Sequence, residues 1–131
     1  MEETPRTWRE VCLEDLVALV PERIMERGRA CYSRSQVVAR LIAHDSLAGS
    51  VLGSAGWYTT TAVLADGRIT TTCTCPYQGA PCKHAVALIV SWLDSPGSFL
   101  DLPRALSAME ASPEGLHRLC LDLCQIGRAH V

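Results

Sequence analysis

Apolar residues near the start of the chain recur at the spacing of an amphipathic helix. They are Leu13, Leu16, Val17 and Val20. Positions three and four apart share one face of a helix, so the repeat predicts a short helix that ends before Pro21. Pro21 itself suits the first turn of a second helix over residues 21–35, "PERIMERGRACYSRS". In that helix we expect Ile24, Ala30 and Cys31 to face inward.

Four segments rich in Val, Ile, Thr and Tyr follow, and each has the composition of a β-strand. They read QVVARLIAHD, SLAGSVLGS, WYTTTAVLA and RITTTCTC. The stretches HDS, SAG and ADG between them have turn composition, so four antiparallel strands are the simplest interpretation. Asp66-Gly67 is the clearest hairpin signal and should join the last two strands.

The second half of the chain returns to helical patterns. Residues 85–94, AVALIVSWLD, are apolar on nearly every side, which predicts a helix that is buried against the sheet and stopped by SPG. Two further helical patterns run from about Phe99 to Met109 and from about Ser112. Together the patterns predict an α+β fold with N-terminal helices, a small antiparallel sheet of about four strands and C-terminal helices.

Composition and charge narrow the class of protein. The chain has 131 residues, of which 48% are hydrophobic and 20% charged, so it should fold as one globular domain, with room for a small appendage. A net charge of −2 and a pI near 6.0 exclude a generally basic surface but allow a local patch. The one concentration of basic residues runs from Arg23 to Arg40, a stretch that contains five arginines and a single acidic residue, Glu26.

This basic concentration has two interpretations. It could hold nucleic-acid phosphates, or it could be a solvated helix face paired with Glu22 and Glu26. The candidate nucleic-acid contacts are Arg27, Arg29, Arg34, Arg40 and Lys83. Three aromatic residues could stack on bases, although such residues in strands and on an apolar helix are usually core. They are Trp57, Tyr58 and Trp92.

The location of the protein is inferred from its start and its apolar runs. The first ten residues, MEETPRTWRE, are polar and acidic, unlike a secretory signal. The longest apolar run, 85–93, is shorter than the roughly 18 residues that span a bilayer. We therefore expect a cytoplasmic protein without membrane contact, in which the seven cysteines stay reduced. Clustered thiols in such a protein serve metal binding or catalysis rather than disulfides.

The stretch CTCPYQGAPCKH at 73–84 concentrates three of those cysteines and a histidine. Cys73 and Cys75 should lie on one face at a strand end, and Cys82 and His84 at the start of the next helix, where the helix dipole favours thiolate. Three thiolates and one imidazole complete the tetrahedral shell of structural zinc. Copper or iron is a weaker alternative, because imidazole with thiolate suits zinc best in a reducing cytosol. A Cys-x-Cys redox pair gives no reason for Cys82 and His84, and a Cys/His catalytic dyad has no orienting Asn or Asp close by in the sequence.

The spacing C-x-C-x6-C-x-H, extended as "CTCPY…CKHAVAL", resembles the SWIM zinc finger. The flanking segments ERGRACYSRSQVV and GSVLGSAGWYTTTAVL resemble those of its bacterial members, so the likeness covers about residues 22–94. It implies a Zn²⁺ cofactor bound by Cys73, Cys75, Cys82 and His84. It also implies contact with DNA or other proteins, since relatives carry the module beside helicase-like ATPase regions and in transposase-like and signalling proteins.

These observations predict a division of the chain. Residues 1–21 form a helical lead-in, 22–94 the SWIM-type zinc-binding domain with its zinc-clamped ββα finger, and 95–125 a C-terminal helical segment. The last six residues, 126–131, match what one frame of a common short-read sequencing adapter would encode. We therefore expect an artefact there, and a natural protein that continues beyond about Gln125.

No grouping of residues suggests catalysis, because there is no Gly-rich phosphate loop and no paired nucleophile and base. We expect no enzyme and no small-molecule substrate, but a zinc-binding interaction module that binds protein or DNA. The alternative is the targeting domain of a longer helicase-like or transposase-like nucleic-acid enzyme. Of the remaining candidates, Cys12 and Cys31 should be small buried residues and His44 a surface residue. A second metal group on one helix face is a weaker hypothesis, with the residues His117, Cys120 and Cys124.

Overall fold

The structure is a computed structural model that describes residues 7–77 and 81–111. Its helices are α1 (Leu13–Val17), α2 (Glu22–Ser33), α3 (Lys83–Asp94) and α4 (Leu102–Ala111). Its strands are β1 (Val37–Ala43), β2 (Ser46–Gly53), β3 (Gly56–Ala65), β4 (Arg68–Cys73) and β5 (Leu100–Asp101). The predicted α+β class is therefore confirmed, while the helical pattern from Ser112 lies outside the described residues.

The strands form one mixed sheet in the order β4-β3-β2-β1-β5. The first four strands pair antiparallel through successive connections, as predicted. The Asp66-Gly67 hairpin is also confirmed, and both residues have positive φ, 52° and 74°, as a type I′ turn requires. The hairpin aligns β3 with β4, which ends at the first cysteine of the cluster.

The fifth strand was not predicted. The sequence pattern places a helix from about Phe99, but residues 100–101 are extended and α4 begins at Leu102. These two residues pair parallel with Leu41 and Ile42 of β1. The edge of β1 presents backbone groups that need hydrogen-bond partners, and an extended segment satisfies them where a helix could not.

The helix α2 packs against α3, which in turn packs on the sheet. Buried Gly28 allows the approach, because a Cβ placed there would lie 2.3 Å from Val86 Cγ1. Ile24 and Cys31 face inward as predicted, but Ala30 is exposed and that prediction is wrong. At about 100° per residue Ala30 lies well away from the stripe that the other residues form.

The core lies between the sheet and the helices. Its largest fully buried apolar side chains are Leu16, Leu47, Leu64, Leu88 and Ile89. The predicted burial of α3 is confirmed, since most of its residues are inaccessible. The Nε1 of Trp92 donates to the carbonyl of Trp8 at 2.9 Å, and the Nε1 of Trp8 donates to the carbonyl of Asp45 at 2.7 Å. These bonds fasten the N-terminal 3₁₀ turn (Trp8–Glu10) to helix and sheet.

None of the helices in the described ranges has the length and hydrophobicity that crossing a bilayer requires.

Candidate metal centre

The first half of the cysteine cluster lies where β4 ends. Cys73 is the last residue of the strand, and the pairing continues for one more residue because the amide of Thr74 donates to the carbonyl of Thr59 at 3.1 Å. Cys75 lies beyond the strand, in a bend before Pro76, and not in the strand as the sequence pattern suggested. Proline cannot donate to a sheet ladder, which explains why the pairing stops here.

The second half of the cluster begins α3. Cys82 is the N-cap, with extended backbone angles, and its carbonyl accepts the first helical hydrogen bond from Val86 at 3.1 Å. His84 follows within the first turn. Both side chains are buried, as expected for residues that close the end of a packed helix against the sheet.

The four side chains converge on a common point. The three Sγ atoms and one ring nitrogen all lie within 4.8 Å of one another. The Nδ1 of His84 is 3.7 Å from the Sγ of Cys73 and 3.8 Å from the Sγ of Cys82. A tetrahedron with zinc–sulfur bonds of about 2.3 Å has edges of about 3.8 Å, so the cluster has the size that one zinc ion needs. The group could therefore hold zinc, the cofactor that the sequence predicts.

The two nitrogens of His84 have different surroundings. Nδ1 faces the sulfurs, while Nε2 is buried and has no hydrogen-bond partner among the described residues. The ring packs beside Tyr58, with centroids 4.9 Å apart. Gly53 leaves the space for this arrangement, since a Cβ there would meet the Tyr58 ring at 2.2 Å and Nε2 at 3.1 Å. Tyr58 and Gly53 thus orient the imidazole by packing rather than by a hydrogen bond.

Burial shifts the pKa of two residues of the cluster, Cys82 and His84. It is the main cause that raises the pKa of Cys82 to about 12, although the backbone amide of Ala85 acts in the opposite direction. Nearby Cys73 and Cys75 raise that pKa further. The helix N-terminus was expected to favour the thiolate form of Cys82, but the effect of desolvation on its pKa is larger. Burial, followed by the charge of Lys83, lowers the pKa of His84, which keeps the imidazole in the neutral form that binds metals.

A buried threonine supports the cluster and was missed by the sequence analysis. Thr60 is fully buried and lies opposite Cys73 in the β3–β4 register. Its Oγ1 lies 3.2 Å from the Sγ of Cys73, within hydrogen-bond distance. The signal was present in the sequence, because a two-residue turn at Asp66-Gly67 fixes this register and places Thr60 across from the cysteine.

The structure separates the five candidate nucleic-acid contacts. Three of them, Arg27, Arg34 and Lys83, line one groove of about 360 Å³ beside the cluster. Arg29 is exposed and lies outside the residues that line this groove. Arg40 is held within the fold, where its Nε donates to the carbonyl of Val37 at 3.1 Å and its Nη1 to Ser98 Oγ at 2.8 Å.

The other candidates also fall in distinct places. Trp92 is core, Tyr58 is half-buried beside His84, and Trp57 is 40% exposed. Cys31 is buried as expected, but Cys12 is exposed and that prediction is wrong. The amide of Cys12 donates to the Oδ2 of Asp15 at 2.8 Å and caps α1, which holds the residue at the surface. His44 is exposed, and the group of His117, Cys120 and Cys124 lies outside the described residues.

A Cys3His group that joins the end of a β-hairpin to the start of a helix defines the class of zinc-finger sites. Within that class, residues 58–93 match the family model of the SWIM zinc finger. The match includes all four residues of the cluster, so this segment of the chain is a SWIM zinc finger, as the resemblance implied. No curated protein and no solved structure matches the chain.

Proposed function

We propose that the chain is a zinc-stabilised interaction module in which Cys73, Cys75, Cys82 and His84 bind one Zn²⁺. The observation that carries the proposal is the convergence of their four ligand atoms within 4.8 Å. The SWIM match over residues 58–93 supports the same metal. Four protein ligands fill a tetrahedral shell and leave no position for water or substrate, which is the pattern of a structural site.

The role of the site is to fasten the end of β4 to the start of α3. The sequence between Cys75 and Cys82 contains two prolines and a glycine, and it provides little apolar surface to bury. Without a cation, the buried thiol of Cys82 keeps its proton, because its pKa is raised to about 12. Zinc supplies the positive charge that stabilises three thiolates, so its binding free energy becomes folding free energy for this end of the sheet.

Zinc content and thermal unfolding test this proposal. We expect Cys75→Ser and His84→Ala to lose stoichiometric zinc and to lower the melting temperature, because each removes one ligand of the shell. Cys12→Ser is the matched control, since this exposed thiol belongs to the cap of α1 and not to the cluster. Full zinc content with an unchanged melting curve in both ligand variants would falsify the proposal.

A second candidate function, nucleic-acid binding, is favoured by the groove beside the cluster. Arg27 and Arg34 project from α2 and its C-terminal cap, and Lys83 begins α3. Gln36 and Ser54 add polar groups to the same groove. In contrast to Arg40, none of the three cationic side-chain groups is hydrogen-bonded or ion-paired to another residue in the described part of the chain. Phosphate binding needs such clustered, available cations, and the chain would then be the targeting region of a longer helicase-like or transposase-like enzyme.

The salt dependence of binding distinguishes this candidate from protein recognition. We expect the affinity for a mixed-sequence DNA duplex to fall steeply with salt, and the double variant Arg27→Ala, Arg34→Ala to flatten that slope by about two phosphate contacts. The double variant Arg23→Ala, Arg29→Ala is the control, because it removes the same number of charges from the same helix outside the groove. A slope that is equal in both variants would contradict the role of the groove.

A further inference from the structure

We propose that the outer edge of β4 and the groove beside it form a docking site for an extended, basic segment of a partner protein, which adds to the sheet as a further strand. The proposal names a partner class for the interaction module proposed above. It uses no side chain of the cysteine cluster, so it can fail while zinc binding stands.

The two edges of the sheet differ. The edge of β1 is covered by β5, and α4 packs against both strands. At the other edge, no segment within residues 7–77 and 81–111 pairs with the outer side of β4. β4 reads RITTTC and has neither the proline nor the lysine that commonly protect edge strands. An edge of this kind is a template for strand addition.

The register shows which groups face outward. The amide of Thr74 donates to the carbonyl of Thr59, so these two residues form a hydrogen-bonded pair of the antiparallel ladder. Such pairs alternate along the ladder, which makes Thr70 and Thr72 the next residues that bond to β3. The amides and carbonyls of the alternate residues, Ile69, Thr71 and Cys73, point away from the sheet.

A groove of about 690 Å³ lies at the start of this edge, between residues 67–70 and the segment that contains α1. Its apolar part is formed by Ala18, Leu19 and Ile69. Leu19 is 36% exposed, and Ile69 is only partly buried against the core. A strand added next to β4 would direct alternate side chains into this groove and cover these apolar atoms.

Charge determines which strand fits. The groove is lined by the carboxylates of Glu10, Glu14 and Asp15 and by one cation, Arg68. The Oδ2 of Asp15 accepts a hydrogen bond from the amide of Cys12 at 2.8 Å, which fixes this carboxylate at the wall of the groove. The excess of negative charge favours a cationic side chain on the inward face of the added strand and disfavours the phosphates of a nucleic acid.

A pair of labelled peptides tests the proposal on the zinc-loaded chain. The probe is fluorescein-labelled Thr-Val-Thr-Arg-Thr-Val-Thr, in which the two valines and the arginine share one face, and the counter-probe has Glu in place of Arg. By fluorescence anisotropy we expect the Arg probe to bind at least about tenfold more tightly than the Glu probe, because the groove is acidic. Equal binding of the two probes would overturn the assignment.

Amide hydrogen exchange gives the structural signature. With the Arg probe bound, the amides of Ile69 and Thr71 should exchange at least about tenfold more slowly, because they gain hydrogen-bond partners. The amides of Thr70 and Thr72 already bond to β3 and should not change. Protection of all four residues, or of none, contradicts strand addition at this edge.

A charge reversal provides the matched variants. Glu14→Lys should weaken the binding of the Arg probe and strengthen the binding of the Glu probe, whereas Glu22→Lys should alter the binding of neither. Both acids lie in the first turn of a helix and are exposed, but only Glu14 lines the groove. Slow exchange of the Ile69 and Thr71 amides in the absence of any probe would overturn the proposal. In a monomeric protein it would mean that the chain's own terminal segments pair with β4, and in a dimer that a second copy of the chain does.

Discussion

At the scale of single residues, the buried thiol of Cys31 makes stability depend on alkaline pH. Burial raises its pKa above the ordinary value of 9.0, despite the opposing charges of Lys83 and Arg34. The folded state therefore keeps a proton that the unfolded chain releases above about pH 9. The stabilisation is complete below that pH and is lost as pH rises towards the folded pKa, with a slope of at most about 1.4 kcal/mol per pH unit.

Cys31→Ala should reduce this alkaline loss of stability in urea unfolding between about pH 8 and pH 10. The variant is expected to be less stable than the wild type at neutral pH, because it removes a buried side chain, so the comparison concerns the slope and not the absolute value. Cys12→Ala, which changes an exposed thiol, should keep the wild-type slope. An unchanged slope in the Cys31 variant would show that another group controls the alkaline transition.

The residues of the cluster could be identified from the sequence, but the contacts that hold them in place could not. Cysteine and histidine at short, fixed spacing have few roles in a reduced protein, so Cys82 and His84 could be named without coordinates. The packing of Tyr58 and Gly53 on the imidazole depends on a tertiary contact that no local pattern encodes. The same is true of the Cys82 pKa, where burial outweighs the helix dipole that the sequence position suggested.

At the scale of elements, Gly28 sets the distance between α2 and α3. A Cβ at this position would lie 2.3 Å from Val86 Cγ1 and 3.0 Å from the backbone carbonyl of Lys83, so the helices would have to separate. Gly28→Ala gains about 1 kcal/mol in helix propensity, but overpacking of a tight contact costs about 1–3 kcal/mol, and the backbone contact favours the upper end. We expect a net loss of stability.

Thermal unfolding measures this balance, with Gly97→Ala as the control. A Cβ at Gly97 meets nothing within 4 Å, so that variant should stay within about 0.5 kcal/mol of the wild type. Gly28→Ala should also weaken zinc binding, since Lys83 lies between Cys82 and His84 and moves with the start of α3. A higher melting temperature for Gly28→Ala would mean that α2 can move away without cost.

Elements were predicted where periodicity and turn chemistry agreed. The four long strands and the Asp66-Gly67 hairpin follow from alternation and from residues that tolerate positive φ. The short strand β5 could not be found, because two residues have no periodicity and adopt extended structure only through pairing with β1. The inward position of Ala30 on α2 was predicted wrongly, because small apolar residues are compatible with either face of a helix.

At the scale of the whole molecule, the hydrophobic core and the cysteine cluster are largely separate. The hydrophobic core includes the fully buried Leu16, Leu47, Leu88 and Ile89. None of the four metal-site residues belongs to this hydrophobic core. The core also fastens the N-terminal turn through the hydrogen bonds of Trp8 and Trp92. Most of the fold therefore has a source of stability that does not depend on zinc.

Removal of zinc should consequently open one end of the molecule and leave the rest folded. After chelation with EDTA we expect the amides of Thr74 and Val86 to exchange at least about tenfold faster, because their bonds to Thr59 and Cys82 flank the cluster. The amide of Leu64 bonds to Asp45 at the far end of β3 and should keep its protection. Equal acceleration at Leu64 would instead mean that the core cannot persist without the metal, because the small sheet and its helices then unfold as one unit.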